Sequence, residues 1–421
     1  MRNSLPGKPP MKAINKSKFM KQLLAVSLSV GCLLAGCGST ATPKETSSPS
    51  ASPAELRAAA PEYGMWWSYL DYERDCKDIS LETFNSVVDT ALDNMQSIGV
   101  NRVFVHAVAY TDAFYNSSIY PKSSYLGNCD YDPLAVFVKK AHARGMYIDA
   151  WINPMRSVPV DQVDSLPEDS TIRQWISENN ERIRQVGDLY YLNPAYGDCR
   201  NLICSVIDEI LNSYDVDGIH MDDYFYPSGV EKKFDAYAYS LSLRENSDLT
   251  LDDFRRNNVN ALVKQIYDTI KKHGPSLMYS ISPSGNIDNN HQLMYAWPED
   301  WVADRTVDEL IPQIYWGFNH PVKPFESTLQ EWKNIVGDSG IRLSAGLAAY
   351  KVGSVDAGAG DASSEWVDNS DILGRQVQYA LSQNCVGAAF YNYGTLFVPS
   401  DEIKENVDNE IVHIKSVTLA S

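Results

Sequence analysis

The sequence predicts an α/β fold, an eightfold (β/α) barrel of the TIM type. Three observations point there. From residue 61 onward, short apolar runs alternate with longer amphipathic stretches, the pattern of repeated strand–helix units. Eight such runs fall within roughly 330 residues, a span that fits a barrel with insertions. Several runs end in acids and aromatics, and a parallel barrel keeps its chemistry at the exits of its strands. The competing fold is an open doubly wound sheet, but no G-x-G-x-x-G follows any run.

The elements follow in order. Residues 65–70 read as the first strand, ending at Asp71 and Glu73. Residues 81–98 carry apolar side chains at helical spacing and close at Gly99. The second strand is 102–110, running out near Asp112. Asp132 and Pro133 open a helix that ends at Arg144, where Gly145 stops it. In the third strand, 146–152, Ile148, Ala150 and Ile152 share one face, and Asp149, Trp151 and Asn153 share the other. Asp149 is mid-strand, so an internal hydrogen-bonding or salt-bridging role is expected of it. A long segment, 155–191, follows, with a helix of its own around Trp175, and reads as part of a substrate wall.

The helix 198–213 leads into the fourth strand, within 214–227. There Ile219 and Met221 point one way, and His220 and Asp222 point the other. Asp223 lies just past the strand end, followed by Tyr224, Phe225, Tyr226 and Pro227. A second excursion, 225–247, crosses the same mouth, so long insertions follow strands three and four. The helix 254–272 ends at His273-Gly274-Pro275. Strands five to eight are 277–282, 310–316, 343–350 and 387–393, with a helix at 371–384. Gln313 and Tyr315 share a face of the sixth. The barrel domain is 61–398, and 399–421 is a polar tail closing in a short β-like run, 411–419.

The first sixty residues are of another kind. Residues 1–22 hold six Lys or Arg and no acid, and an apolar run, 23–36, follows that is short for a bilayer span. It closes in Leu34-Ala35-Gly36-Cys37, so 1–36 resemble a bacterial lipoprotein signal with Cys37 as the lipidated residue. An ordinary secretory signal is the alternative, and Met11 and Met20 are possible starts. Residues 37–60, rich in Ser, Thr, Ala and Pro, are expected to be a disordered tether. An extracytoplasmic, lipid-anchored protein at the cell membrane is the expectation.

Formal net charge is −18, and loss of the six leader cations takes it to −24. That argues against nucleic acid as a partner. It suits a neutral or weakly charged substrate, and 25 Tyr and 9 Trp supply flat faces for sugar rings. Past Cys37, five Cys remain: Cys76, Cys129, Cys199, Cys204 and Cys385. Without Cys-x-x-Cys spacing a zinc site is not expected; a disulfide is allowed, with no assignable pairing.

Cleaving a glycosidic bond takes two carboxyl groups, ~5–5.5 Å apart in retaining enzymes and ~6.5–9.5 Å apart in inverting ones. The candidates are Asp222, Asp223, Asp112 and Glu73. Adjacent acids in an extended segment point apart, so the expected partner of Asp222 comes from another strand, Asp112 or Glu73. His220 and His106 could bind sugar or tune the acid, or be satisfied barrel-core histidines. A metal reading of His220, Asp222 and Asp223 is the minor alternative; no cofactor is expected. Asn153, Trp151, Gln313, Tyr315, Trp316, Asn392 and Tyr393 suit sugar hydroxyls and ring faces from other strand exits. Ser282-Pro283-Ser284-Gly285 is not a nucleophile elbow and reads as a loop lining the cleft.

These motifs together resemble the glycosyl-hydrolase-like family ten of bacterial extracytoplasmic proteins. The most specific matches are Tyr131-Asp132-Pro133-Leu134-Ala135, Ala150-Trp151-Ile152-Asn153-Pro154, Tyr191-Leu192-Asn193-Pro194, residues 215–227, Arg256-Asn257-Asn258-Val259-Asn260, Ile281-Ser282-Pro283 and Pro312-Gln313-Ile314-Tyr315-Trp316. The resemblance implies an eightfold barrel and glycosidic cleavage of peptidoglycan strands stripped of their peptides. It carries Asp222, Asp223, Asp112, Asn153, Gln313 and Tyr315 over as site residues. In one place the chain departs: His106 and Val108 stand where the family's second strand usually has Gln and Arg. The other readings are a polysaccharide-binding lipoprotein without catalysis and a hydrolase of other extracellular glucans.

Overall fold

The computed structural model describes residues 60–420. The leader, Cys37 and all of the 37–60 segment but its last residue lie outside the described residues. The remainder closes into a ring of eight parallel strands: β1 (Glu62–Trp67), β2 (Arg102–Val108), β3 (Tyr147–Ile152), β7 (Gly218–Met221), β8 (Met278–Ile281), β9 (Glu309–Leu310), β10 (Arg342–Ala348) and β11 (Gly387–Tyr391). Neighbours in the ring are neighbours in the chain, and β11 pairs with β1 to close it. Between β3 and the helix Gly197–Ser213 the chain makes a separate antiparallel sheet from β4 (Arg156–Pro159), β5 (Ile183–Val186) and β6 (Leu189–Leu192), ordered β4-β6-β5. The helix expected near Trp175 is Thr171–Ser177.

Alternation along the strands builds two apolar layers. Trp67, Val103, Val105, Ile148, Ile219 and Met221 face the helices and join the main core. Trp66, Phe104, Trp151, Ile311 and Ala389 face inward and form a second, smaller cluster inside the ring. His220 sits among these, its ring 4.3 Å from Phe104 and 5.7 Å from Trp66. The in-and-out assignment of Ile219, His220 and Met221 therefore holds.

The floor of the ring is ionic. Arg102 donates from Nε to Asp149 at 2.9 Å, and its Nη1 and Nη2 meet Glu62, Glu309 and Asp149. Arg342 pairs with Glu62 from the side at 2.8 Å. Burial alone would raise Glu309, but Arg102 and Arg342 hold it down to about 2. Asp149 is thus the internal ion-pairing group its mid-strand place implied.

Three local readings are corrected. The first strand begins and ends earlier, at Glu62 and Trp67, because Ser68 caps a helix, Tyr69–Cys76, in a capping box with Asp71. The sixth strand shrinks to Glu309–Leu310, since Pro312 has no N–H to give and Gln313 makes only isolated bridges to Ser284 and Gly346. The β-like run 411–419 lies instead in the helix Lys404–Thr418. Its buried side chains, Val407, Glu410, Ile414 and Thr418, recur at helical spacing, and Thr418 Oγ1 donates to the Ile98 carbonyl at 2.8 Å. Among the described residues, Cys76, Cys129, Cys199, Cys204 and Cys385 are all free thiols.

Candidate active site

The strand exits gather a pocket lined by Trp66, Tyr69, His106, Trp151, Asn153, Asp222, Asp223, Tyr224, Ser282, Gln313, Tyr315 and Tyr391. They come from the ends of several strands of the ring. β7 is four residues long and buried throughout, so Asp222 and Asp223 emerge where pairing stops. Gly218 lets this strand in: a Cβ there would strike the Met278 carbonyl. Gly285, in the loop after the neighbouring β8, likewise allows a close approach, since a Cβ there would run into the Gln313 carbonyl; the Gln313 side-chain amide donates to the Ser282 carbonyl at 3.0 Å.

Asp222 is 6% exposed, and Asp223 is half-buried nearer the rim. Burial and the neighbouring Asp223 charge push Asp222 well above the usual carboxylate range. Burial pushes Asp223 up to about 6, against a hydrogen bond from Gln313. The Asp223 charge disfavours a second one beside it, so Asp222 keeps its proton when Asp223 has ionised. Arg156, from β4, opposes both shifts. Its guanidinium lies over the Tyr110 and Tyr224 rings, 4.4 and 4.1 Å from their centroids, and donates to Tyr110 Oη at 2.6 Å.

The histidines are neutral and serve as struts. His220 Nε2 accepts from Trp66 Nε1 at 3.0 Å and its Nδ1 meets Ser280 Oγ at 2.8 Å, so it fixes a wall residue from beneath and does not itself line the pocket. Burial and the Arg102 charge hold it well below its ordinary value. His106 Nδ1 accepts from the Tyr69 N–H at 3.1 Å, and burial holds this ring neutral too. Three polar atoms of the wall are buried without a hydrogen-bond partner: Trp151 Nε1, Asn153 Oδ1 and Ser282 Oγ. Buried polar groups are almost always bonded, so these three are free to take a hydrogen bond from or give one to a polar ligand in the pocket.

Asp222, Asp223, His106, Trp151, Asn153, Gln313 and Tyr315 are thus brought together as expected. Other candidates are not. Glu73 lies on the solvent face of the helix Tyr69–Cys76, 43% exposed and paired to Lys77. Asp112 accepts from the Ala109 and Tyr110 N–H groups at 3.2 and 2.9 Å, tying a turn, and lines a separate hollow with Lys122 and Val158. Trp316 packs toward His320, 6.0 Å away. Asn392 caps the helix Tyr393–Phe397, and Tyr393 lies outside the ring against Trp67, its Oη accepting from Asn94. The partner acid from another strand is therefore absent: among the described residues, Asp222 and Asp223 are the two carboxyls that line the pocket. Sequence reading passed over Trp66, Tyr69, Tyr391 and Arg156. The Trp66-Trp67 pair was a usable signal, since alternation sends one of two adjacent rings inward.

The model of the glycosyl hydrolase-like 10 family matches residues 79–368. The chain belongs to that family. Glycosyl hydrolase YngK of Bacillus subtilis (strain 168) is 32% identical over 283 residues, 62% of this chain and 55% of that protein. The chain thus spans about half the length of this relative. Glycosyl hydrolase DigH of Escherichia coli (strain K12) is 29% identical over 368 residues, 78% of this chain and 83% of that one. Among solved structures, the glycoside hydrolase domain of PgaB (BpsB) from Bordetella bronchiseptica superposes with a TM-score of 0.53 at 13% identity, covering 84% of this chain and 98% of that one. A β-galactosidase from Marinomonas ef1 gives 0.54 at 13%, covering 85% and 60%. These structures share the barrel; the family membership bears out the expected glycosidase-like chain.

Proposed function

We infer that this family member hydrolyses glycosidic bonds in bacterial cell-wall glycan, using Asp222 and Asp223 for acid–base work. The carrying observation is the pocket itself: two carboxyls with raised proton affinity, walled by aromatics and by three unpartnered polar atoms. A carboxyl raised toward the working pH can keep the proton it must donate to a leaving oxygen. The names of the Bacillus and Escherichia relatives, both glycosyl hydrolases, support the reaction class. The leader pattern ending in Cys37 supports lipid anchoring at the outer side of the cytoplasmic membrane or beyond, within reach of such a glycan.

The test is purified protein on peptidoglycan strands stripped of peptides, with shorter oligosaccharides as the readout. Asp222→Asn should abolish their release while leaving binding intact. Binding by the unaltered protein without any bond cleavage would make it a polysaccharide-binding module. Release from soluble glucans but not from these strands would move the substrate.

A further inference from the structure

The two carboxyls of the pocket adjoin in the chain, and this limits how they share the work. A nucleophile and an acid approach one anomeric carbon from separate walls, ~5–5.5 Å apart, and a water-activating pair stands ~6.5–9.5 Å apart. Here both acids leave one strand end, and neither Asp112 nor Glu73 faces them. Successive side chains of an extended segment diverge, which places Asp222 deep and Asp223 toward the rim. Such a pair can address two atoms of one sugar, the glycosidic oxygen and a substituent at C2.

The wall describes that substituent. Trp151 Nε1 is an unpartnered donor, Asn153 Oδ1 an unpartnered acceptor, and Ser282 Oγ can be either. Around them stand the apolar faces of Trp66, Trp151 and Tyr391. An acetamido group presents a carbonyl for the Trp151 donor and a methyl for these apolar faces, and leaves its N–H for a carboxyl of the pocket.

The geometry points to a 2-acetamido sugar as substrate, cleaved with its own acetamido oxygen as nucleophile, Asp222 as general acid and Asp223 as acceptor of the acetamide N–H. The inference rests on the glycosidase reading above. In the first step the acetamido carbonyl oxygen bonds to C1 as the bond from C1 to the glycosidic oxygen breaks. The electron pair leaves on that oxygen, which takes the Asp222 proton. The acetamide proton passes to Asp223, leaving a neutral bicyclic oxazoline. In the second step water attacks C1 and gives a proton to Asp222. The oxazoline C1–O bond opens, its electron pair returns to the acetamide, and the nitrogen recovers its proton from Asp223. Both carboxyls are restored and the anomeric configuration is retained. The single proton that the pair carries throughout agrees with the raised affinity of both groups.

The test uses the full chain, unaltered, on stripped peptidoglycan strands in three forms: native, N-deacetylated, and re-acylated with trifluoroacetyl groups. Native strands should be cut with retention, read by proton NMR of the first-formed anomer. Trifluoroacetyl strands should be cut on the order of 100-fold more slowly, because fluorine drains the nucleophilic oxygen, and deacetylated strands should not be cut. Equal cutting of all three forms, or an inverted product, overturns the inference and leaves a glycosidase of another mechanism. Native strands left whole overturn the glycosidase reading itself.

Discussion

His106 lies flat on Trp151, with ring centroids 3.4 Å apart and planes 14° from parallel. The stack holds the indole in one orientation, with its N–H unpartnered in the pocket wall. Trp151→Phe keeps a ring against His106 but deletes that donor along with part of the ring area. Glycan binding, measured by calorimetry in an Asp222→Asn background, should weaken about 3- to 10-fold, the value of roughly one hydrogen bond. Unchanged affinity would mean that the N–H faces no ligand.

Arg156 sets the pH range. With Asp223 at about 6, the rate should rise as pH climbs through that value, because this carboxyl must ionise to accept a proton, and fall at higher pH as Asp222 loses its own. Arg156 favours the ionised form of both aspartates, so Arg156→Met lets both rise. The acid limb moves up because the base ionises later, and the alkaline limb moves up because the acid stays protonated longer. A profile of kcat/KM against pH reads both limbs; movement to lower pH would contradict the placement of this cation.

Arg102→Met strips the floor of its central cation and leaves Glu62, Asp149 and Glu309 facing one another, with Arg342 at the side. Denaturant unfolding should show a loss of about 3–5 kcal/mol, the cost of leaving buried charge uncompensated. Glu309 is held to about 2, below its ordinary 4.5, so its contribution is present above 4.5 and fades as pH falls toward 2. The unaltered protein should therefore lose more stability than the variant over that acid range.

Glu410 behaves in the opposite sense. Burial raises it from 4.5 to about 7, while its Oε1 accepts from the Gly374 N–H at 3.0 Å. A carboxyl raised in the folded state favours folding when protonated. Its contribution is whole below 4.5, shrinks between 4.5 and about 7, and is gone above that. Glu410→Gln keeps the acceptor and cannot ionise. Above neutral pH it should be the more stable protein, by up to about 3 kcal/mol, and the gap should close in acid. Parallel melting curves at acid and alkaline pH decide it.

Periodicity made the ring legible, because each strand had to send alternate side chains to two different apolar layers. It read Asp222 and Asp223 correctly as mouth residues and Asp149 as an internal group. It failed where a cap competed with a strand. Asp71 and Glu73 looked like acids at a strand exit, yet Ser68 had already started a helix, and one carboxyl caps it while the other meets solvent. Asp112 was misread for a similar reason: its carboxylate ties two backbone N–H groups of a turn, a role that sequence does not distinguish from catalysis. Arg156 was invisible because it lies on a small antiparallel sheet that periodicity over so short a span does not announce.

The ring is sealed by the pairing of β11 with β1, and Thr418 ties the final helix to the end of the first long one. The strand made last is thus the one that shuts the cylinder. A nascent chain carries an unsatisfied edge on Glu62–Trp67 until Gly387–Tyr391 has been made, so the cylinder stays open while its other seven strands already exist.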